Sequence, residues 1–343
     1  MSSVVTSHPT LTLKQAKSVI TAMAHRQSLL LLSPPGVGKS DTVFQAAREA
    51  GLPCRSLLGT QIAPEDVSGI PRIVGERSVF CPPRLLLPED GQPFCLFLDE
   101  LPACPPDIQK AFYSLLLERR LGEHALPPGT WVVAAGNRME DRALVRAMSS
   151  ALVNRVLILN IRCDVAEWLL WAVANGVREE IVAFIGWIPD ALMRDVPATP
   201  ISFSTPRAWA ALSQALDSAE AAGILNTEIR RALAFGSVSP EDAAVFCTMV
   251  EEKFGEMRPI LAYLYDPESL PEKHSQRWFI LARIRSMVAR GELKEIPETV
   301  IEHFLDAIPR DHLFALFVNL VPEWGKLGGE EVMLDVLQEV AGA

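Results

Sequence analysis

The chain has 343 residues, 49% of them hydrophobic, with 42 acidic against 32 basic side chains and a formal charge of −10. That length accommodates two domains with real cores, and no apolar run approaches the length needed to span a membrane. The acidic balance argues against a nucleic-acid groove as the main surface.

Leu11 to His25 reads as a helix, with Leu13, Ala16, Val19, Ile20 and Met23 as its apolar stripe. Leu29-Leu30-Leu31-Leu32 follows, the unbroken apolar run expected of a central parallel strand covered on both faces. It leads into Ser33-Pro34-Pro35-Gly36-Val37-Gly38-Lys39-Ser40 and a helix from Ser40 to Ala50, closed by Gly51. A loop of this kind cradles phosphates: small residues let its backbone N–H groups turn inward, and the helix N-terminus adds a favourable partial charge. Lys39 is placed to reach the β- and γ-phosphates of ATP, and the Ser40 hydroxyl to ligate Mg²⁺. Ser33 stands where the usual pattern has Gly, a small-residue variant that still tolerates a turn. The bland alternative is a Gly/Pro turn that binds nothing.

Arg55–Leu58 reads as the next strand, and Ile73–Phe80 as a hairpin turning at Gly75-Glu76-Arg77. Phe94–Leu98 is a further apolar strand, ending in Asp99 and Glu100. Two adjacent carboxylates past a buried strand need a metal or partners to offset desolvation. Asp99 would hold Mg²⁺, through water, and Glu100 would polarise the attacking water; one carboxylate could instead merely cap the helix predicted from Pro106 to Arg120. A second hairpin is expected over Leu121–Leu126. Trp131–Ala135 is a third buried strand, and Gly136-Asn137 follows it. The Asn137 amide could orient the lytic water or touch the γ-phosphate, although a lone Asn after a strand is more often a turn residue. A helix over Arg142–Leu152 and a strand over Val156–Asn160 complete an alternating βα pattern, which implies a parallel sheet with helices on both faces. Beyond about Asp164 the pattern is helical and punctuated by prolines.

The six cysteines are scattered without a C-x-x-C pair, and the six histidines show no ligand spacing. That is the usage of a reducing compartment. With no charged-then-apolar leader at the N-terminus, the expected location is cytoplasmic. His303, on an apolar-patterned helix, reads as a partly buried histidine.

The chain resembles the AAA+ ATPases and, within them, the MoxR-like group. The resemblance runs from roughly Leu11 to beyond Trp209. It rests on Pro34–Ser40, on Ala63-Pro64-Glu65-Asp66-Val67-Ser68-Gly69-Ile70-Pro71 and on Phe97-Leu98-Asp99-Glu100-Leu101. Further carriers are Leu117-Glu118-Arg119-Arg120, Ala134-Ala135-Gly136-Asn137-Arg138, Leu152-Val153-Asn154-Arg155 and Ser204-Thr205-Pro206-Arg207. It implies an α/β P-loop αβα domain over residues 1–163, an all-helical lid over 164–258 and a helical C-terminal extension over 259–343. It also implies ATP and Mg²⁺ as cofactors, ATP hydrolysis, and assembly into a ring, commonly a hexamer, with ATP at the subunit interfaces.

By the same resemblance Asn137 matches the first sensor, Arg155 the arginine finger that enters the neighbouring subunit's site, and Arg207 the second sensor. An arginine fork neutralises charge on a transferring phosphoryl group, so the roles are chemically apt. Arg142 and Arg146 are rival finger candidates, and Arg155 or Arg207 could be ordinary helix-end residues. MoxR-like proteins are similar to chaperones that remodel or activate a separate partner, often one with a von Willebrand factor A domain. The alternative is a motor or loader acting on nucleic acid. In the extension, the stripe of Val300, Ile301, Phe304, Leu305 and Ile308 could pack internally or meet a partner, and packing is the safer expectation.

Overall fold

The computed structural model describes residues 9–121, 124–138, 148, 150–252, 257–317 and 320–328. Thr10–Leu11 forms a short strand, β1, and Thr12 then caps helix α1 (Leu13–Met23). Thr12 Oγ1 accepts from Gln15 N while Gln15 Oε1 accepts from Thr12 N, so the capping box starts the helix two residues later than its periodicity predicts. The buried stripe is also narrower than expected: Ala16 and Ile20 are buried, whereas Met23 is 44% exposed.

Strand β2 (Leu29–Leu32) and helix α2 (Lys39–Glu49) flank the glycine-rich loop. Then come β3 (Cys54–Leu58), α3 (Pro64–Ser68) and a hairpin of β4 (Ile70–Val74) and β5 (Arg77–Cys81). Val74 pairs with Arg77, leaving a two-residue turn in which Gly75 has φ 65°. β6 (Cys95–Asp99) precedes α4 (Pro106–Ala111) and α5 (Tyr113–Glu118). The single helix predicted here is therefore divided at Phe112, which is fully buried, and it ends where Arg119 takes a left-handed φ of 54°. β7 (Arg120–Leu121) and β8 (His124–Ala125) form the second hairpin, followed by β9 (Trp131–Gly136), α6 (Ser150–Val153) and β10 (Leu157–Ile161). Most of the helix predicted over Arg142–Leu152 lies outside the described residues.

The main sheet is parallel, in the order β1-β10-β2-β9-β6-β3. Successive side chains point to opposite faces, and both faces are covered. Leu30, Leu96, Leu98, Val132 and Ala134 pack with Ile108 of α4, Leu115 and Leu116 of α5, and Phe112 between them, on one face. Leu29, Leu31, Cys95, Phe97, Val133 and Ala135 meet Ala16, Ile20, Val43 and Ala46 of α1 and α2 on the other. That explains why β2, β6 and β9 read as continuous apolar runs and not as alternating strands.

After β10 the chain is helical: α7 (Val165–Ala174), α8 (Glu179–Trp187), α9 (Pro206–Ala221), α10 (Thr227–Ser237) and α11 (Pro240–Glu251). α12 (Ile260–Tyr265), α13 (His274–Ala289), α14 (Glu298–Ala307), α15 (Arg310–Phe317) and α16 (Val321–Gly325) follow. Two compact units result. One holds the chain through Arg178 together with Pro189–Ala243; the other holds Glu179–Ile188 and the chain from Ala244 onward. In the second unit Ile301, Phe304, Leu305 and Ile308 are buried among Ile280, Ile284, Phe317 and Trp324, so this stripe does pack internally. His303 lies off that face and is exposed, not partly buried. Among the described residues no helix is long and apolar enough to cross a membrane.

Candidate functional site

In a parallel sheet all strands end on the same edge, and the three sequence motifs are three neighbouring strand ends. β2 lies beside β9 with Leu32 opposite Gly136, and β9 lies beside β6 with Ala134 opposite Leu98. Ser33, Asn137, Asp99 and Glu100 therefore emerge together, and Ser33 N donates to Gly136 O at 3.4 Å. A Cβ on Gly136 would sit 2.2 Å from Pro102 Cδ, so that glycine lets the turn after Glu100 close onto the β9 strand end.

The loop wraps around the head of α2. Gly38 is the helix N-cap in the left-handed region, with φ 115° and no side chain to cap the first turn. The opening amides of an 11-residue helix thus face the loop without a side-chain cap. Lys39 is only 7% exposed, and its Nζ donates to Ser33 Oγ at 2.9 Å, Ser33 O at 3.1 Å, Pro34 O at 3.2 Å and Asn137 Oδ1 at 3.3 Å. Ser33 is fully buried and passes its own hydroxyl hydrogen to Pro34 O at 2.8 Å. The serine that departs from the usual pattern is thus part of the lysine's cradle. Val37 is buried in the core beneath α1 and α2, while Pro34 and Pro35 are half-buried on the rim.

Ser40 Oγ donates to Asp99 Oδ2 at 3.0 Å, and Glu100 N donates to Asp99 Oδ1 at 3.0 Å. Glu100 has φ 57° and ψ 31°, a left-handed conformation uncommon for a residue with a side chain and concentrated at functional sites. It turns the chain sharply so that its carboxylate reaches Thr60, whose Oγ1 donates to Glu100 Oε2 at 3.2 Å. Below it, burial pushes the Cys104 thiol up to about 11, so it stays protonated and donates to Glu100 O at 3.5 Å.

The start of α9 docks on the same loop. Thr205 caps that helix, its Oγ1 accepting from Ala208 N at 3.0 Å, and Arg207 N donates to Gly36 O at 3.1 Å. A Cβ on Gly36 would lie 2.5 Å from Thr205 Oγ1. Gly36, with φ 78°, is therefore needed both for the loop's turn and for this close approach. The Arg207 side chain is exposed above this junction. Arg155 lies elsewhere, its guanidinium 5.0 Å from the Tyr113 ring centroid on α5. Its rivals Arg142 and Arg146 lie outside the described residues.

Sequence reasoning missed two participants. Thr60 carries no local signal, because its partner is 40 positions away. Thr205-Pro206 was legible as a helix start, but the contact of Thr205 with Gly36 was not.

The residues fit ATP and Mg²⁺. A buried ammonium, left-handed glycines and a helix head without a side-chain cap suit a polyphosphate. The Ser40 hydroxyl and the Asp99 carboxylate are hard oxygen donors already in contact. Among the described residues no cluster of three or more His, Cys, Asp or Glu could hold a metal. Magnesium bound by one or two protein oxygens plus phosphates and waters needs none.

No curated protein matches the chain in sequence. The chain is similar to two solved structures of Thermotoga maritima RuvB. One, of a point mutant, matches at 16% identity and a TM-score of 0.39, covering 82% of this chain and 86% of that one. The other, described as the Holliday junction branch migration motor, matches at 14% identity and a TM-score of 0.40, covering 81% and 80%. Residues 28–156, the segment from β2 through Arg155 that carries the loop, Asp99, Glu100 and Asn137, match the AAA domain of the dynein-related subfamily.

Proposed function

We propose that this chain is an ATP-hydrolysing ring protein that uses the cycle to remodel or activate a separate protein partner. The observation that carries the reading is the convergence, at three adjacent strand ends, of Lys39 with Asn137 and of Ser40 with Asp99. When bound, ATP would supply the γ-phosphoryl group and Mg²⁺ would offset the charge on it. Lys39 would exchange its neutral oxygen partners for phosphate oxygens, and the metal would be held by Ser40 and, through water, by Asp99. Glu100 leaves Thr60 and takes a proton from the attacking water at its carboxylate, while Asn137 orients that water. Arg207 binds the phosphates from the helix that docks on Gly36, and Arg155 reaches the site of the next subunit. On this reading residues 1–163 bind nucleotide, 164–258 form the lid and 259–343 are a helical C-terminal extension.

The partner class rests on the MoxR-like motifs alone, which favour a protein carrying a von Willebrand factor A domain. The acidic charge of −10 disfavours a nucleic-acid motor. Steady-state phosphate release separates the two. A protein that co-purifies with the Glu100→Gln variant in ATP should stimulate wild-type turnover, and duplex or single-stranded DNA should leave it unchanged. Stimulation by DNA with no response to the protein would transfer the assignment to the motor class.

A further inference from the structure

Asp242 is 3% exposed on the first turn of α11, where a carboxylate suits the helix dipole but is taken out of water. Arg194 grips it with two bonds, Nε to Oδ2 at 3.0 Å and Nη2 to Oδ1 at 2.5 Å. Ser204 adds a third, its Oγ donating to Oδ2 at 2.6 Å. Three charge-assisted bonds satisfy the buried charge and fix its direction. Ser204 is itself fully buried and held at every polar atom. Its N donates to Ser239 Oγ at 3.0 Å, its Oγ accepts from Ser239 N at 3.1 Å, and its O accepts from Arg194 N at 2.9 Å.

The residue after Ser204 is Thr205, which lies against Gly36, and two positions further on Arg207 N donates to Gly36 O. Nothing flexible intervenes between the cluster and the phosphate loop: Thr205 is the helix cap and Pro206 is the first helical residue with its φ fixed. We propose that Arg194, Ser204, Ser239 and Asp242 form a positioning cluster that sets the seat of Thr205 and Arg207 on the phosphate loop, and through it how Arg207 engages bound nucleotide. None of the four is a catalytic residue. The inference rests on the nucleotide-site reading above, and it adds a determinant of that site drawn from far along the chain.

The test is a double-mutant cycle on ATP turnover by the full chain. Asp242→Asn keeps the shape and removes the charge. It should lower kcat/KM by about tenfold, as should Arg207→Ala, and in the Arg207→Ala background it should cost less than about twofold. Losses that multiply in the double variant would assign the cluster a general structural role and overturn the proposal, as would wild-type kcat/KM for Arg207→Ala. Ser204→Ala, which deletes one hydroxyl, runs through the same cycle and decides the matter if Asp242→Asn does not fold. Failure of the nucleotide-site reading looks different: Glu100→Gln would then retain wild-type turnover, and this proposal would fall with it.

Discussion

Arg155→Ala is expected to leave ATP affinity nearly intact and to cut turnover by about 10³–10⁵, because a finger arginine acts on charge that develops only in the transition state. In its own chain Arg155 is stacked on Tyr113, while Lys39, Asn137, Ser40 and Asp99 bond among themselves. That separation suits a group that serves a neighbour's site, and mixing tests it. A Glu100→Gln subunit keeps its finger, and an Arg155→Ala subunit keeps its base. If Arg155 works in trans, mixed rings contain interfaces in which both groups are intact, so activity reappears when two nearly inactive variants are combined. If it works in cis, each site carries one lesion and mixing restores nothing. Co-purification of differently tagged subunits shows independently that exchange has occurred. With exchange shown and no recovery, the assignment passes to Arg142 or Arg146.

Glu100→Gln is expected to bind ATP as tightly as the wild type and to hydrolyse it about 10²–10⁴-fold more slowly, the range for loss of a general base. The amide is nearly isosteric, and Gln can still meet the Thr60 hydroxyl through its carbonyl oxygen, so the left-handed turn at position 100 should survive. The readout is single-turnover hydrolysis beside equilibrium binding of the same preparation. A loss below tenfold would remove Glu100 from the base role, and a parallel loss of binding would make its role structural.

The parts of this site that were legible in the sequence are those built from contiguous residues. A strand that is apolar throughout, a loop with Gly36 and Gly38, and Lys39-Ser40 at a helix head encode their geometry within a dozen positions. The ends of β6 and β9 were legible for the same reason, because both strands are buried on two faces and stop at polar residues. Contacts made by distant segments were not. The Glu100–Thr60 bond spans 40 positions, the Arg194–Asp242 pair 48, and the Thr205–Gly36 approach joins the start of α9 to the loop. Each involves residue types common at surfaces and turns, so nothing local distinguishes them. β1 was hidden because two residues paired to β10 carry no period, and Thr12 obscured the true helix start by capping it. The serine at position 33 looked like a tolerated departure; only the fold shows that its hydroxyl accepts from Lys39.

The central claim is that Ser33–Ser40 is a nucleotide site governed by Lys39, and calorimetric titration of Mg²⁺-ATP into wild type and Lys39→Ala tests it most directly. Lys39 places a buried ammonium where the phosphate charge must be met, so its loss should weaken binding by about 100-fold or more, equivalent to about 2.7 kcal/mol. The account predicts clear binding to the wild type and no measurable heat with a Lys39→Ala protein that melts cooperatively. Wild-type affinity in the Lys39→Ala protein would contradict it, and the ATP site would have to lie elsewhere.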